Sequence, residues 1–109
     1  MNVQIRAKDI TLSPSAREHI ESAIDVFGKF GLELTSVHCN VRAEKKGVNV
    51  EFDIHIAHAQ PVVINQSDDD LDAAIDLAID RASKALRRLH TKVTEHTGAS
   101  LKDLEMLDA

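Results

Sequence analysis

Two stretches of strict apolar-polar alternation, "LTSVHCNVRAE" and "VNVEFDIHIA", stand on either side of "KKG". In the first, Val37, Cys39, Val41 and Ala43 point one way and Ser36, His38, Asn40 and Arg42 the other. In the second, Val48, Val50, Phe52, Ile54 and Ile56 share a side. A two-residue period places alternate side chains on opposite faces of a strand, and a short glycine-containing turn between two such runs makes an antiparallel hairpin. A hairpin with one apolar face is not stable alone; it requires a second layer to cover that face.

The flanking segments supply that layer. "LSPSAREHIESAIDVFGKFG" switches to helical period, with Ala16, Ile20, Ala23, Ile24 and Phe27 on one face. Ser13 before Pro14 reads as a helix start, with a Ser15 and Glu18 capping box as the later-starting alternative, and Gly28 or Gly31 supplies a left-handed end. The segment "SDDDLDAAIDLAIDRASKALRRLHTKVTEH" predicts a longer helix capped by an aspartate, burying Leu71, Ile75, Ala78, Ile79, Ala82, Leu86, Leu89 and Val93. "NVQIR" and "PVVINQ" read as further strands, the second with its proline at the start, where a missing amide is tolerated. The order is therefore β-α-β-β-β-α. A right-handed crossover makes the first two strands parallel. The expected fold is α+β, a two-layer sandwich with a four-stranded mixed sheet and two helices packed on one face. One domain spans residues 1–96, and residues 97–109 form an acidic tail.

The long helix changes electrical character along its length and around its circumference. Asp68, Asp69, Asp70 and Asp72 open it; Arg81, Lys84, Arg87, Arg88 and Lys92 close it. The helix dipole accounts for part of this split. At about 100° per residue, Arg81, Lys84, Arg88 and Lys92 share one flank and Asp72, Asp76 and Asp80 the other. Lys84 to Arg88 and Arg88 to Lys92 are like-charge pairs four residues apart, which repel. A solvated structural face and a phosphate-contacting ridge both fit that pattern. The whole chain carries a formal net charge of −5, so no bulk field draws it to nucleic acid, and any such binding is local.

Other chemistry is thinly supported. Ser13, Ser15, Ser22, Ser36, Ser67, Ser83 and Ser100 lack a nucleophile-elbow context, and the four glycines form no phosphate loop. His38, Asp53 and His55 on the outward sheet face invite a metal reading, but no compact ligand motif accompanies them. Cys39 faces inward and reads as a packed, inert thiol. The expectation is no enzyme, no cofactor and no metal. Lacking a bilayer-length apolar run, a signal-peptide core or a second cysteine, the chain is expected in the cytoplasm, with neither a membrane nor a small-molecule substrate as partner.

The element order, "LSPSAREHI", "VRAEKKG" and "DDDLDAAIDLAIDRASKALRRLHTK" resemble the ribosome hibernation-promoting factor and ribosome-associated inhibitor family in its short form. The resemblance covers about residues 1 to 96. It implies binding to the small ribosomal subunit in the decoding region, where mRNA and tRNA access is blocked during stress or stationary phase. By position, contact with ribosomal RNA falls on Arg81, Lys84, Arg88 and Lys92. Arg17 and Lys45 match the first-helix arginine and hairpin lysine of the pattern, with Arg87 and Lys46 as adjacent cations. Three features depart from it: Glu18, Glu21 and Asp25 on the first helix, Asp72 where an aromatic residue is common, and the negative total charge. Long members carry an additional C-terminal domain, which is not expected in this chain.

The alternative is a protein-interaction module whose acidic first helix (Glu18, Glu21, Asp25) and tail engage a basic protein. A double-stranded RNA-binding domain shares the αβββα layout, but its last helix usually opens with lysines, whereas this one opens with aspartates.

Overall fold

The elements follow the predicted order: β1 (Asn2–Lys8), α1 (Pro14–Phe27), β2 (Leu34–Glu44), β3 (Gly47–Ile56), β4 (Val62–Asp68) and α2 (Leu71–Gly98). They are seen in a computed structural model that describes residues 1–98, with side chains through Thr91. The expected burial of Val93 and the acidic tail, apart from its first two residues at the end of α2, lie outside the described residues.

The sheet runs β1-β2-β3-β4, with β1 parallel to β2 and the other neighbours antiparallel. Register confirms the hairpin, with His38 opposite Asp53 and Glu44 opposite Gly47. Val37, Cys39, Val41, Val50, Phe52 and Ile54 are buried on the helix side, together with Ile20, Ile24 and Phe27 of α1 and Ile75, Ala78, Ala82 and Leu86 of α2. The Phe27 and Phe52 rings meet edge to face, centroids 5.5 Å apart at 83°. Such a pair contributes about 0.5–1.5 kcal/mol beyond its buried area. The α1 face is the predicted one throughout. In α2 the stripe also includes fully buried Ala74, while Leu71, Ile79 and Leu89 are partly buried.

The helix ends differ in detail from the sequence reading. Ser13 is the α1 cap, its hydroxyl accepting the Ala16 amide at 3.1 Å; Ser15 lies 3.2 Å from that hydroxyl and forms no box with Glu18. Gly28 ends α1 in right-handed conformation, and the left-handed glycine is Gly31, at φ +84°. A Cβ on Gly31 would stand 2.9 Å from His90 Nε2, so α2 packs closely there. The aspartate run is divided between elements. Asp68 completes β4 opposite Val48, whereas Asp70 caps α2, its carboxylate accepting the Ala73 amide at 3.0 Å. The ladder with β3 extends β4 beyond the stretch that its side-chain alternation marks.

Candidate nucleic-acid interface

The two flanks of α2 face different neighbours. On the acidic flank, Asp76 Oδ1 lies 2.7 Å from His19 Nε2 of α1, so this flank is turned toward the first helix. The exposed surface of α1 carries Glu18, Glu21 and Asp25. On the other flank, the Arg81 guanidinium reaches β4, donating to Asn65 O at 2.6 Å and to Gln66 Oε1 at 3.1 Å. Both acceptors are neutral, so the contact fixes Arg81 without cancelling its charge.

Lys84 and Arg88 continue this flank toward the C-terminal end of α2, and both are exposed. Lys84 Nζ lies 3.0 Å from Asp80 Oδ2, an exposed i,i+4 pair worth only about 0.3–0.5 kcal/mol. Arg88 pairs with no carboxylate among the described residues. The Lys92 side chain lies outside the described residues. Arg87 does not share the ridge: it lies over the Phe30 ring, 5.5 Å from its centroid, on the α1 side of the helix. Phe30, between α1 and β2, provides the aromatic face, a cation-π contact that sequence spacing alone did not suggest.

The remaining predicted cations are elsewhere. Arg17 lies exposed in the first turns of α1, while Lys45 and Lys46 form the β2–β3 turn. These three share the end of the sandwich at which β1 and β2 finish, whereas Arg87 and Arg88 approach the end where β2 begins. An eleven-residue β2 puts roughly 33 Å between those ends. The described positions thus do not form one patch: Arg81, Lys84 and Arg88 share a flank of α2, Arg87 is turned to the α1 side, and Arg17, Lys45 and Lys46 lie at the other end.

On the open sheet face, His55 Nε2 lies 3.2 Å from Asp53 Oδ1, and the His38 and His55 ring centroids are 6.4 Å apart. His38 Nε2 is buried without a hydrogen-bond partner among the described residues. Among the described residues, no group of three His, Cys, Asp or Glu is arranged to hold a metal ion. Cys39 is buried, and burial first, with the Glu51 carboxylate adding, pushes its thiol up to about 12. It remains protonated at neutral pH and is no nucleophile. Among the described residues, no helix is long and apolar enough to cross a membrane.

Residues 3–94 match the family described as sigma 54 modulation protein / S30EA ribosomal protein. The chain is 28% identical over 95 residues to the ribosome hibernation promoting factor of Azotobacter vinelandii, covering 87% of this chain and 88% of that protein. It is 26% identical over 104 residues to the ribosome-associated factor Y of Haemophilus influenzae, covering 94% and 96%. The fold resembles the Thermus thermophilus protein Y N-terminal domain, with a TM-score of 0.71 at 22% identity, covering 82% of this chain and 99% of that one. A ribosomal subunit interface protein from Coxiella burnetii gives 0.63 at 17% identity, covering 90% and 99%.

Proposed function

The chain belongs to the sigma 54 modulation protein / S30EA ribosomal protein family, and we propose that it is a hibernation factor occupying the decoding region of the small ribosomal subunit. It contacts ribosomal RNA through Arg81, Lys84 and Arg88, with Lys92 continuing the same flank in sequence. Seated there, it excludes mRNA and tRNA during stress or stationary phase, in the cytoplasm where ribosomes are. It acts by occupancy and carries out no reaction.

The observation that carries this reading is the sorting of charge on α2. Its acidic flank turns toward α1, while Arg81 is fixed on β4 with Lys84 and Arg88 exposed beyond it. Among the described residues Arg81 and Arg88 pair with no carboxylate, so a local cationic surface survives on an anionic molecule. Phosphate contact suits it better than base stacking, since the chain has no Trp or Tyr and Phe27 and Phe52 are buried.

The test is co-sedimentation with small subunits over a salt series. Binding should weaken steeply as salt rises, because each phosphate contact releases counterions. The double reversal Lys84→Glu with Arg88→Glu should abolish it. Failure of the unmodified protein to associate with ribosomes at moderate salt would remove the proposal.

A second reading has one observation in its favour. A groove of about 240 Å³ between the helices is lined by His19, Ser22, Ala23, Val26, Ile79 and Ser83. The same helix also carries exposed Glu18, Glu21 and Asp25, which a basic protein partner would require. That partner would be retained after nuclease treatment, whereas an RNA-dependent association would be lost.

A further inference from the structure

The sheet has one face covered by helices and one open, and strand register fixes what the open face presents. Lys8 of β1 is paired with Arg42 of β2, and that row continues through Asn49 to Ser67. The next row runs Arg6, Asn40, Glu51, Asn65. Arg6, Lys8 and Arg42 are exposed, and Lys45 and Lys46 continue the cluster into the turn. Lys8 and Arg42 sit side by side on strands about 4.8 Å apart, and like charges so placed destabilise a sheet. No carboxylate relieves them: among the described residues, none of these five cations forms an ion pair. The bordering acids are Asp9, Glu44 and Glu51, and Glu51 accepts a hydrogen bond from Asn40 Nδ2 at 3.4 Å.

We propose that Arg6, Lys8 and Arg42, with the turn lysines beside them, form a second phosphate-binding surface. The protein then lies between two RNA segments, one against α2 and the other against the open sheet. This rests on the ribosomal reading above and specifies how RNA is held. The surroundings favour a nucleic-acid backbone over an acidic protein segment. A protein interface needs an apolar anchor at its centre. Here the neighbours are uncharged: Gln4 and the exposed Ser67 can hydrogen-bond phosphate and 2′-hydroxyl oxygens, while buried Asn49 donates to Ser67 Oγ at 3.0 Å and holds it in place. The exposed large apolar side chain in the interior rows of this face is Val63, two strands away from Arg42.

The full chain tests this with three variants: Arg6→Gln/Lys8→Gln/Arg42→Gln, Lys84→Gln/Arg88→Gln, and their combination. Each is titrated with salt against intact small subunits and against protein-free small-subunit RNA. Each phosphate-contacting cation contributes about 1 to the salt slope. On the RNA, the sheet triple should therefore lower the slope by about 2 to 3, the helix double by about 2, and the combination by their sum. The single Arg42→Gln should lower it by about 1 and guards against a folding defect in the triple, with thermal unfolding compared for all. A wild-type slope for a folded sheet triple, beside a reduced slope for the helix double, overturns the second surface and leaves the ribosomal reading intact. A triple that weakens binding only to intact subunits means an acidic protein surface and also overturns it. If the unmodified chain binds neither subunits nor RNA, the ribosomal reading itself fails.

Discussion

Replacing Asp80 by asparagine should tighten binding to small-subunit RNA, an effect that a merely solvated helix face would not produce. The carboxylate stands 3.0 Å from the Lys84 ammonium, and both side chains are more than half exposed. A phosphate meeting Lys84 from the solvent side would lie about 6 Å from that carboxylate. In water their repulsion is about 0.7 kcal/mol, halved or more by physiological salt. Freeing the ammonium from its intramolecular partner adds about 0.3–0.5 kcal/mol. The sum, about 0.5–1 kcal/mol, corresponds to roughly two- to fivefold higher affinity. Stability should fall by no more than about 0.5 kcal/mol, because an exposed pair is lost and shape is conserved. The assay is a binding titration at fixed salt, with Asp25→Asn as the control. That residue is exposed on α1 and changes net charge equally, away from the ridge. Equal gains from both variants would mean that only total charge matters. No gain from Asp80→Asn, in a protein that folds normally, would refute placement of Lys84 at the RNA.

Two further expectations concern the scaffold. Gly47 has φ +118°, and a Cβ there would lie 2.2 Å from Asp68 O, so Gly47→Ala should cost about 1–3 kcal/mol in urea unfolding; a loss under about 0.5 kcal/mol would mean the turn does not press on the end of β4. Cys39 keeps its proton to about 12 when folded, whereas the unfolded thiol releases it near its ordinary value of 9.0. Above that value the unfolded chain therefore binds fewer protons than the folded one, and stability falls as pH rises, by up to about 1.4 kcal/mol per unit. Urea unfolding of the parent and Cys39→Ala proteins between pH 8 and 10.5 should show the extra decline only in the parent; parallel curves would contradict burial of the thiol.

The legible and illegible parts of the site divide by the range of the interactions. The α1 face, the hairpin register and the Ser13 cap could be read from the sequence, since each depends on residues a few positions apart. Grouping Arg81, Lys84 and Arg88 on one flank was legible for the same reason. In sequence Arg87 is only a cation adjacent to the ridge, and its setting over Phe30 depends on a loop 57 positions earlier in the chain. The contact between His19 and Asp76, also separated by 57 positions, had no sequence signal beyond two polar residues on two helices. Arg6 and Lys8 give no signal in the sequence, because an exposed strand residue of either type ordinarily keeps a surface soluble. Only pairing of β1 with β2 sets Lys8 beside Arg42.

By itself, then, the sequence determined which segments are helices and strands, which face of each is buried, and which sides of α2 bear each sign. Those follow from backbone geometry, whose periods of 3.6 and 2 are expressed within a few residues. Tertiary structure decided what each charged flank faces: α1 beside the aspartates, β4 beneath Arg81, and an open sheet with its cations on the far side. Electrostatic surroundings are set by distance in space, and distant parts of the chain become neighbours only once the core has brought the two layers together.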